Sequence, residues 1–438
     1  MNKIIQIIAA FILLTGVTSC KKYLDIEPVG RVIPKTADDF RALLTTAYNS
    51  FPAHKSLLAV RTDELVLDEW ATDYPALKDI YSWKDGNPDP VTFQFPYIGF
   101  YTVIFNANHV IAEVENEAGK TDITAQIKGE AYLLRAYTHF ELLNLYAKPY
   151  NKATAATDRG IPLSLKIDLE QNYAPATIEA VYTQVLADID AGRQLLNTAT
   201  FDAGKNYRFT TRAALALLAR VREFRGEWAQ AQEAATQALT LNSELEDLNT
   251  SSRLPSHYLS VENIMSMEKA FDLRSAAMVS EHLLGIYDQE NDLRFPLYFS
   301  KSGGEYVSLK GNSDALKISF RNGELYLIQA EAALQTDDIA LARQSLLALK
   351  AKRLKPALYQ AEATRINTMA KAPLLEEIYA ERERELALEG HRWYDLRRYG
   401  QPSITHSNSS ETFILQQNDP RYTIRFPKDA IANNPNLL

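Results

Sequence analysis

The stretch Arg212-Ala213-Ala214-Leu215-Ala216-Leu217-Leu218-Ala219-Arg220-Val221-Arg222-Glu223-Phe224-Arg225-Gly226-Glu227-Trp228-Ala229-Gln230-Ala231 decides the architecture. Its apolar positions recur with helical spacing up to Phe224, stop at Arg225-Gly226, and resume from Glu227 to Leu241. That is a pair of helices folded back on each other. Ala219, Gly226 and Ala231 are small enough to let the two helices approach closely. Outward from this pair the same period returns. Asp38–Tyr48, Phe100–Val114 and Ile127–Tyr146 read as helices, and Thr177 caps another running to about Leu196. In Ile127–Tyr146, Leu133, Ala136, Tyr137, Phe140, Leu143 and Leu145 supply a broad apolar face.

The pair has echoes. Ala330 and Ala342 match Ala219 and Ala231 at an offset of 111 residues, with Ile339 opposite Trp228. Gly129–Ala136 and Gly323–Ala330 resemble each other at an offset of 194. Small and aromatic residues at these places fit helix pairs of the tetratricopeptide type, although neither offset is a multiple of about 34. The expected fold class is therefore all-α, with several helix pairs separated by insertions and minor β. Two insertions stand out. Residues 68–96 are rich in Trp, Tyr, Asp and Pro, and residues 255–317 are rich in Phe and Tyr and contain Ser302-Gly303-Gly304. Long irregular segments in such a body are often functional. Ile264–Glu268 reads as a short strand. A last long helix is predicted over Leu374–Glu389, capped by Gly390, with a short one over Trp393–Tyr399 and an extended Tyr422–Pro427.

Composition narrows the function. Of 438 residues, 46% are hydrophobic and 23% charged, which excludes wholesale disorder and a polytopic membrane protein. A formal net charge of −8 argues against a nucleic-acid partner. A single cysteine excludes an intrachain disulfide and a Cys-rich metal site. That cysteine, Cys20, follows a positive Lys3, an apolar run and Val17-Thr18-Ser19. The order is that of an export signal, too short to span a membrane well. It resembles a bacterial lipobox, so residues 1–19 are read as a signal peptide and Cys20 as the lipid-carrying mature N-terminus. Two acyl chains would hold the body on a membrane surface.

Catalytic signatures are missing. There is no Gly-x-Ser-x-Gly, phosphate-binding or dinucleotide motif, and no two histidines have zinc-motif spacing. Hence no catalytic residue, no metal and no cofactor beyond the acyl lipid on Cys20 is expected. Glu377, Glu381, Glu385 and Glu389 stand four apart on one predicted helix face. Paired catalytic carboxylates are one reading. The better one is a structural ladder neutralised by Arg382, Arg384, Arg392, Arg397 and Arg398, with Arg392 and Asp395 tying the last hairpin.

Several pieces, in order along the chain, resemble the SusD/RagB family of nutrient-binding lipoproteins of Bacteroidota. They are Cys20–Pro28, Tyr97-Ile98 through Asn106-Ala107-Asn108, Gly129–Ala136, Glu381–Leu386 leading into Glu389-Gly390-His391-Arg392-Trp393-Tyr394-Asp395-Leu396-Arg397-Arg398-Tyr399-Gly400, and Phe426–Ile431 with Asn433-Asn434-Pro435. The resemblance covers nearly all of residues 20–438. It implies an outer-membrane lipoprotein facing the cell exterior. Its partner would be a SusC-type TonB-dependent transporter, and its ligand an oligosaccharide captured without catalysis. It also implies ligand contacts from loops in the two irregular regions. The candidates there are Trp70, Tyr74, Tyr81, Trp83, Phe271, Arg274, Tyr298 and Tyr306. Flat aromatic rings suit the C–H faces of pyranoses. Oligopeptide capture of the RagB type is the alternative, and a secreted glycoside hydrolase a more distant one.

Overall fold

The computed structural model describes residues 34–168, 172–269, 271–272, 275–311 and 313–438. Cys20, the signal segment and Arg274 lie outside the described residues. Threonines set several helix starts. Thr36, Thr121, Thr177 and Thr210 are extended, and each side-chain oxygen accepts a backbone N–H of the first turn, the expected cap chemistry. The first half runs α1 (Ala37–Asn49), α2 (Lys55–Val60), β1 (Leu65–Leu67), α3 (Tyr74–Tyr81), α4 (Ile98–Ala118), α5 (Asp122–Tyr146), α6 (Ile178–Leu195), α7 (Thr211–Phe224) and α8 (Trp228–Leu241). Then come β2 (Asn263–Met265), β3 (Ala277–Val279), α9 (Glu281–Gly285), α10 (Phe295–Tyr298), β4 (Phe299–Ser302), β5 (Glu305–Ser308) and β6 (Phe320–Arg321). The chain closes with α11 (Asn322–Gln335), α12 (Ile339–Lys350), α13 (Pro356–Thr368), α14 (Lys371–Glu385), α15 (Arg392–Arg398), β7 (Ile404–Ser407), β8 (Thr412–Leu415) and α16 (Lys428–Asn433).

The fold class is as predicted: mostly helical, with short antiparallel strand pairs β1–β3, β2–β6, β4–β5 and β7–β8. The two predicted helix pairs are present. α7 packs on α8, α11 on α12, and α8 against α11. Gly226 turns the first pair with φ +67°. α5 packs closely on α6 through Gly129 and Gly192. A Cβ on Gly192 would lie 2.8 Å from Leu133 Cγ and 2.9 Å from the Gly129 carbonyl.

Four expectations need correction. Residues 68–96 are not wholly irregular, because α3 lies inside them. The strand near Ile264 is shorter than predicted and pairs with Phe320-Arg321. The tail carries a hairpin, β7–β8, where only a polar tail was expected; of the extended stretch, Tyr422 closes a turn of 3₁₀-helix (Pro420–Tyr422) and Thr423 is extended as read. The last long helix ends at Glu385, four residues early. Leu388 (φ +57°) and Gly390 (φ +82°) reverse the chain there. The buried Glu64 carboxyl accepts the Leu388 N–H at 2.7 Å and fixes that turn. A Cβ on Gly390 would sit 2.5 Å from Lys55 Cγ.

The acidic ladder is structural, but its partners are not those expected. Glu381, Glu385 and Glu389 are fully buried, and Glu377 is half-buried. Their cations come from distant elements. Arg294 meets Glu381 and Glu385; Arg353 meets Glu385; Lys310 and Arg321 meet Glu389; Lys350 meets Glu377 and Glu381. Of the neighbouring arginines only Arg384 joins, bonding Glu377 and Glu381. Arg382 binds Asp395, Arg392 binds Asp63 and Glu383, Arg398 binds Glu331, and Arg397 donates to the carbonyls of Asn144 and Ala147. Asp395 therefore ties the hairpin to Arg382, not to Arg392. The reason is geometric. A helix face pointing inward must be neutralised by whatever packs against it, not by its own outward residues.

Candidate functional site

The two irregular regions, some two hundred residues apart in sequence, meet along one edge of the molecule. β1 and β3 pair antiparallel, with Leu65 opposite Val279, Val66 opposite Met278 and Leu67 opposite Ala277. Just beyond β1 the pairing is prolonged by polar contacts. The Asp68 N–H donates to the Ala276 carbonyl at 2.8 Å, and Asp73 Oδ1 accepts from the Ala276 N–H at 2.8 Å and from the Ser275 hydroxyl. Asp68 also shapes the turn that follows. Its Oδ1 accepts the Trp70 N–H at 2.9 Å, and its carbonyl accepts from Ala71. The turn pushes Trp70 outward. Its side chain is bare, at 87% exposure, whereas tryptophans are normally well buried.

Two apolar side chains of the ribbon also face outward. Strand alternation turns Leu65, Leu67, Ala277 and Val279 inward and leaves Val66 and Met278 outward. The β4–β5 hairpin packs alongside β3. On it Tyr306 is half-buried, edge-on to Phe295 at 5.4 Å, with Lys301 Nζ 5.2 Å from its ring. A bare indole of this kind, with polar side chains along both contributing segments, can take a flat, hydroxyl-bearing ligand without chemistry. Glu69 lies beside Trp70 and Ser275 on the facing segment.

Other predicted residues sit elsewhere. Tyr81 and Trp83 are core: His406 of β7 stacks on both, at 3.9 Å and 4.3 Å, and the Trp83 indole N–H donates to the Arg61 carbonyl at 3.0 Å. Tyr74 is buried with its hydroxyl bonded to Asn408. Phe271 is enclosed, and so is Tyr298, whose ring carries Lys310 Nζ at 3.9 Å. These five offer no ring face to a ligand. The reason is common to them: each insertion docks its short elements on the rest of the fold, and its aromatics fill the space between. Trp70 and Tyr306 are the predicted aromatics left at the surface.

Residues not singled out as ligand contacts from the sequence line two hollows. One, of about 510 Å³, is bounded by Tyr207, Tyr258, Asn206, Glu268, Lys269 and Lys317. Glu268 is buried there. Its Oε2 accepts from Lys55 at 3.2 Å and from the Tyr137 hydroxyl, while Oε1 has no partner. Tyr258, Glu268, Lys269 and Lys317 fall within the second irregular region, so location was legible although identity was not. The other hollow, of about 890 Å³, opens beside the α7–α8 turn, between Tyr150, Trp228, Tyr379, Tyr399, Arg398 and Glu223. Burial pushes the Glu223 carboxyl up to about 8. No described helix is long and apolar enough to cross a membrane.

Comparison with known proteins gives two family matches on one chain. Residues 22–222 match a family described as starch-binding and associating with the outer membrane, and residues 298–434 match the SusD family. A SusD-like protein, P38, of Formosa agariphila is 23% identical over 90% of this chain and 92% of its own. Among solved structures, a SusD superfamily protein from Bacteroides thetaiotaomicron is similar at a TM-score of 0.76, with 20% identity over 92% of this chain and 98% of its own. A laminarin-binding SusD-like protein is similar at a TM-score of 0.63, with 19% identity over 84% of this chain and 92% of its own.

Proposed function

The chain belongs to the SusD family, and on that premise we propose that it captures oligosaccharides at the cell surface and passes them to a SusC-type TonB-dependent transporter. The observation that carries this reading is Trp70, held bare by the Asp68 turn where the two aromatic insertions meet. An exposed indole forgoes burial unless a partner covers it. A pyranose supplies that cover, its C–H face on the ring and its hydroxyls toward Glu69 and Ser275. Tyr306, with Lys301 beside it on the hairpin packed against β3, offers a second, half-buried ring. We read it as a binder: the ladder carboxylates, one place where paired catalytic acids could stand, are each engaged by buried cations. The likeness of the fold to a laminarin-binding protein supports a glycan as ligand. Cys20 carries the lipid that anchors the protein to the outer membrane, facing the cell exterior.

The test is calorimetry on a hit from a glycan array. Trp70→Ala, on an exposed turn, keeps the wild-type melting temperature and loses at least tenfold in affinity, about 1.4 kcal/mol. A folded Trp70→Ala protein with undiminished affinity refutes the assignment. Cys20→Ala, in turn, abolishes metabolic labelling by palmitate, and retained labelling removes the anchor. The second reading, oligopeptide capture, is favoured by one observation: the 890 Å³ hollow lies on the helical-repeat side, beside the α7–α8 turn. A peptide library tested beside the glycan array separates the two. Peptide binding lost in Trp228→Ala and kept in Trp70→Ala selects the repeats.

A further inference from the structure

We propose that Asp63, His282 and Glu383 form a binding site for one divalent transition-metal ion of the zinc class. Their ligand atoms all lie within 4.8 Å of one another, and theirs is the sole such grouping found among the described residues. His282 Nε2 is 2.7 Å from Glu383 Oε1 and 3.5 Å from Asp63 Oδ2. Ligands around a tetrahedral ion with bonds of roughly 2.0–2.2 Å stand ~3.4 Å apart, so small side-chain rotations suffice.

The three ligands come from three separate segments, each held in place. Asp63 precedes β1. His282 is the second residue of α9, whose cap, Ser280, donates its hydroxyl to the Asp63 carbonyl and its N–H to the Glu64 carbonyl. Glu383 stands on α14, on the side away from the buried ladder. Arg392 supplies the outer shell. Its Nη1 donates to Glu383 Oε2 at 3.0 Å and its Nε to Asp63 Oδ1 at 2.8 Å, which leaves Glu383 Oε1 turned toward the imidazole. Nη2 also reaches Asp63 Oδ2 at 2.6 Å, and that bond must lengthen as a metal enters. Hydrogen bonds to the far oxygens of ligating carboxylates are the usual second shell of metal sites.

Charge and donor type point the same way. Two carboxylates face one guanidinium, so one negative charge is left over for a cation. One imidazole nitrogen and two carboxylate oxygens suit zinc, cobalt or nickel better than calcium, which takes six to eight oxygens. The imidazole is 45% exposed, so an ion can enter and a fourth, water-filled position stays open. The site lies at the opposite end of β1 from Trp70, where a bound ion would pin α9 and α14 to the ribbon that carries the indole. It stands independently of the glycan reading.

The experiment titrates zinc chloride into chelator-treated full-length protein by calorimetry, with a competing chromophoric chelator and with calcium chloride in parallel. The expected result is one saturable zinc site per chain, uncontested by equimolar calcium. Affinity falls at least tenfold in His282→Ala and in Glu383→Gln, and the metal-free circular dichroism spectra are unchanged. Absence of a saturable 1:1 site in the wild type overturns the proposal. So does full zinc affinity in the folded His282→Ala protein, which would place the metal on other histidines. Glu383→Gln keeps the question decidable should His282→Ala misfold.

Discussion

Replacing Glu385 by Gln should cost about 4 kcal/mol of stability although it alters no shape. Glu385 is fully buried and accepts four hydrogen bonds from three guanidinium groups. Arg353 Nε (2.9 Å) and Arg294 Nη1 (3.0 Å) reach Oε2, while Arg353 Nη2 (2.8 Å) and Arg321 Nη1 reach Oε1. An amide keeps one oxygen and turns an NH₂ toward two of those donors. Two charge-assisted bonds are lost, at roughly 1.5–3 kcal/mol each. The cluster around it (Glu262, Asp292, Glu381 and Glu389 with Arg294, Lys310, Arg321, Lys350 and Arg353) is left one positive charge in excess. Breaking a buried pair costs roughly 3–5 kcal/mol, which agrees. With an unfolding entropy of roughly 2.1 cal/mol/K per residue, a chain of this size loses ~4 °C of melting temperature. Urea denaturation gives the free energy and calorimetry the Tm. Glu376→Gln, exposed on the same helix, is the control and should cost under about 0.5 kcal/mol. A Glu385→Gln loss below about 1 kcal/mol, or one no larger than the control's, would refute the idea that Glu385 is the charge on which this cluster closes.

Further outcomes follow from the same physics. Arg392→Ala removes the cation shared by Asp63 and Glu383 and should destabilise by about 2 kcal/mol, so an unchanged thermal melt contradicts it. Burial raises Glu64 to about 8, so the folded protein holds a proton that the unfolded chain releases near 4.5. Its contribution to stability is present below pH 4.5 and lost as pH rises to 8; Glu64→Gln should stabilise the protein at pH 8 and change little at pH 4.5, read by urea midpoints. The Arg321, Arg353 and Lys310 charges hold Glu385 and Glu389 below the usual carboxylate range, despite the opposing cost of burial. The unfolded chain takes up those protons first as pH falls below about 5, so stability drops there, and Tm should peak near pH 5. A flat Tm from pH 7 to 3 would show that the ladder does not carry the stability assigned to it. Gly192→Ala drives a methyl into Leu133 and the Gly129 carbonyl and should cost about 1–3 kcal/mol; a neutral or stabilising result means α5 and α6 can separate freely.

The sequence by itself determined most of the long helices, the Thr177 cap and the two helix pairs. These depend on short-range periodicity and on local chemistry: Thr177 caps wherever the chain goes next, and Gly226 turns the α7–α8 pair. It also located the two insertions, and with them Trp70, whose exposure follows from a local Asp68 turn. Tertiary structure alone decided which aromatics stay open. Tyr81 and Trp83 have the same composition around them as Trp70, but His406, more than three hundred residues away, closes over them. It alone chose the cations for Glu381, Glu385 and Glu389, because an inward helix face takes its partners from the elements it packs against. It alone set Asp63, His282 and Glu383 side by side. Contacts between residues so far apart leave no spacing in the chain, since their separation is fixed by how helices pack and not by any period along the backbone.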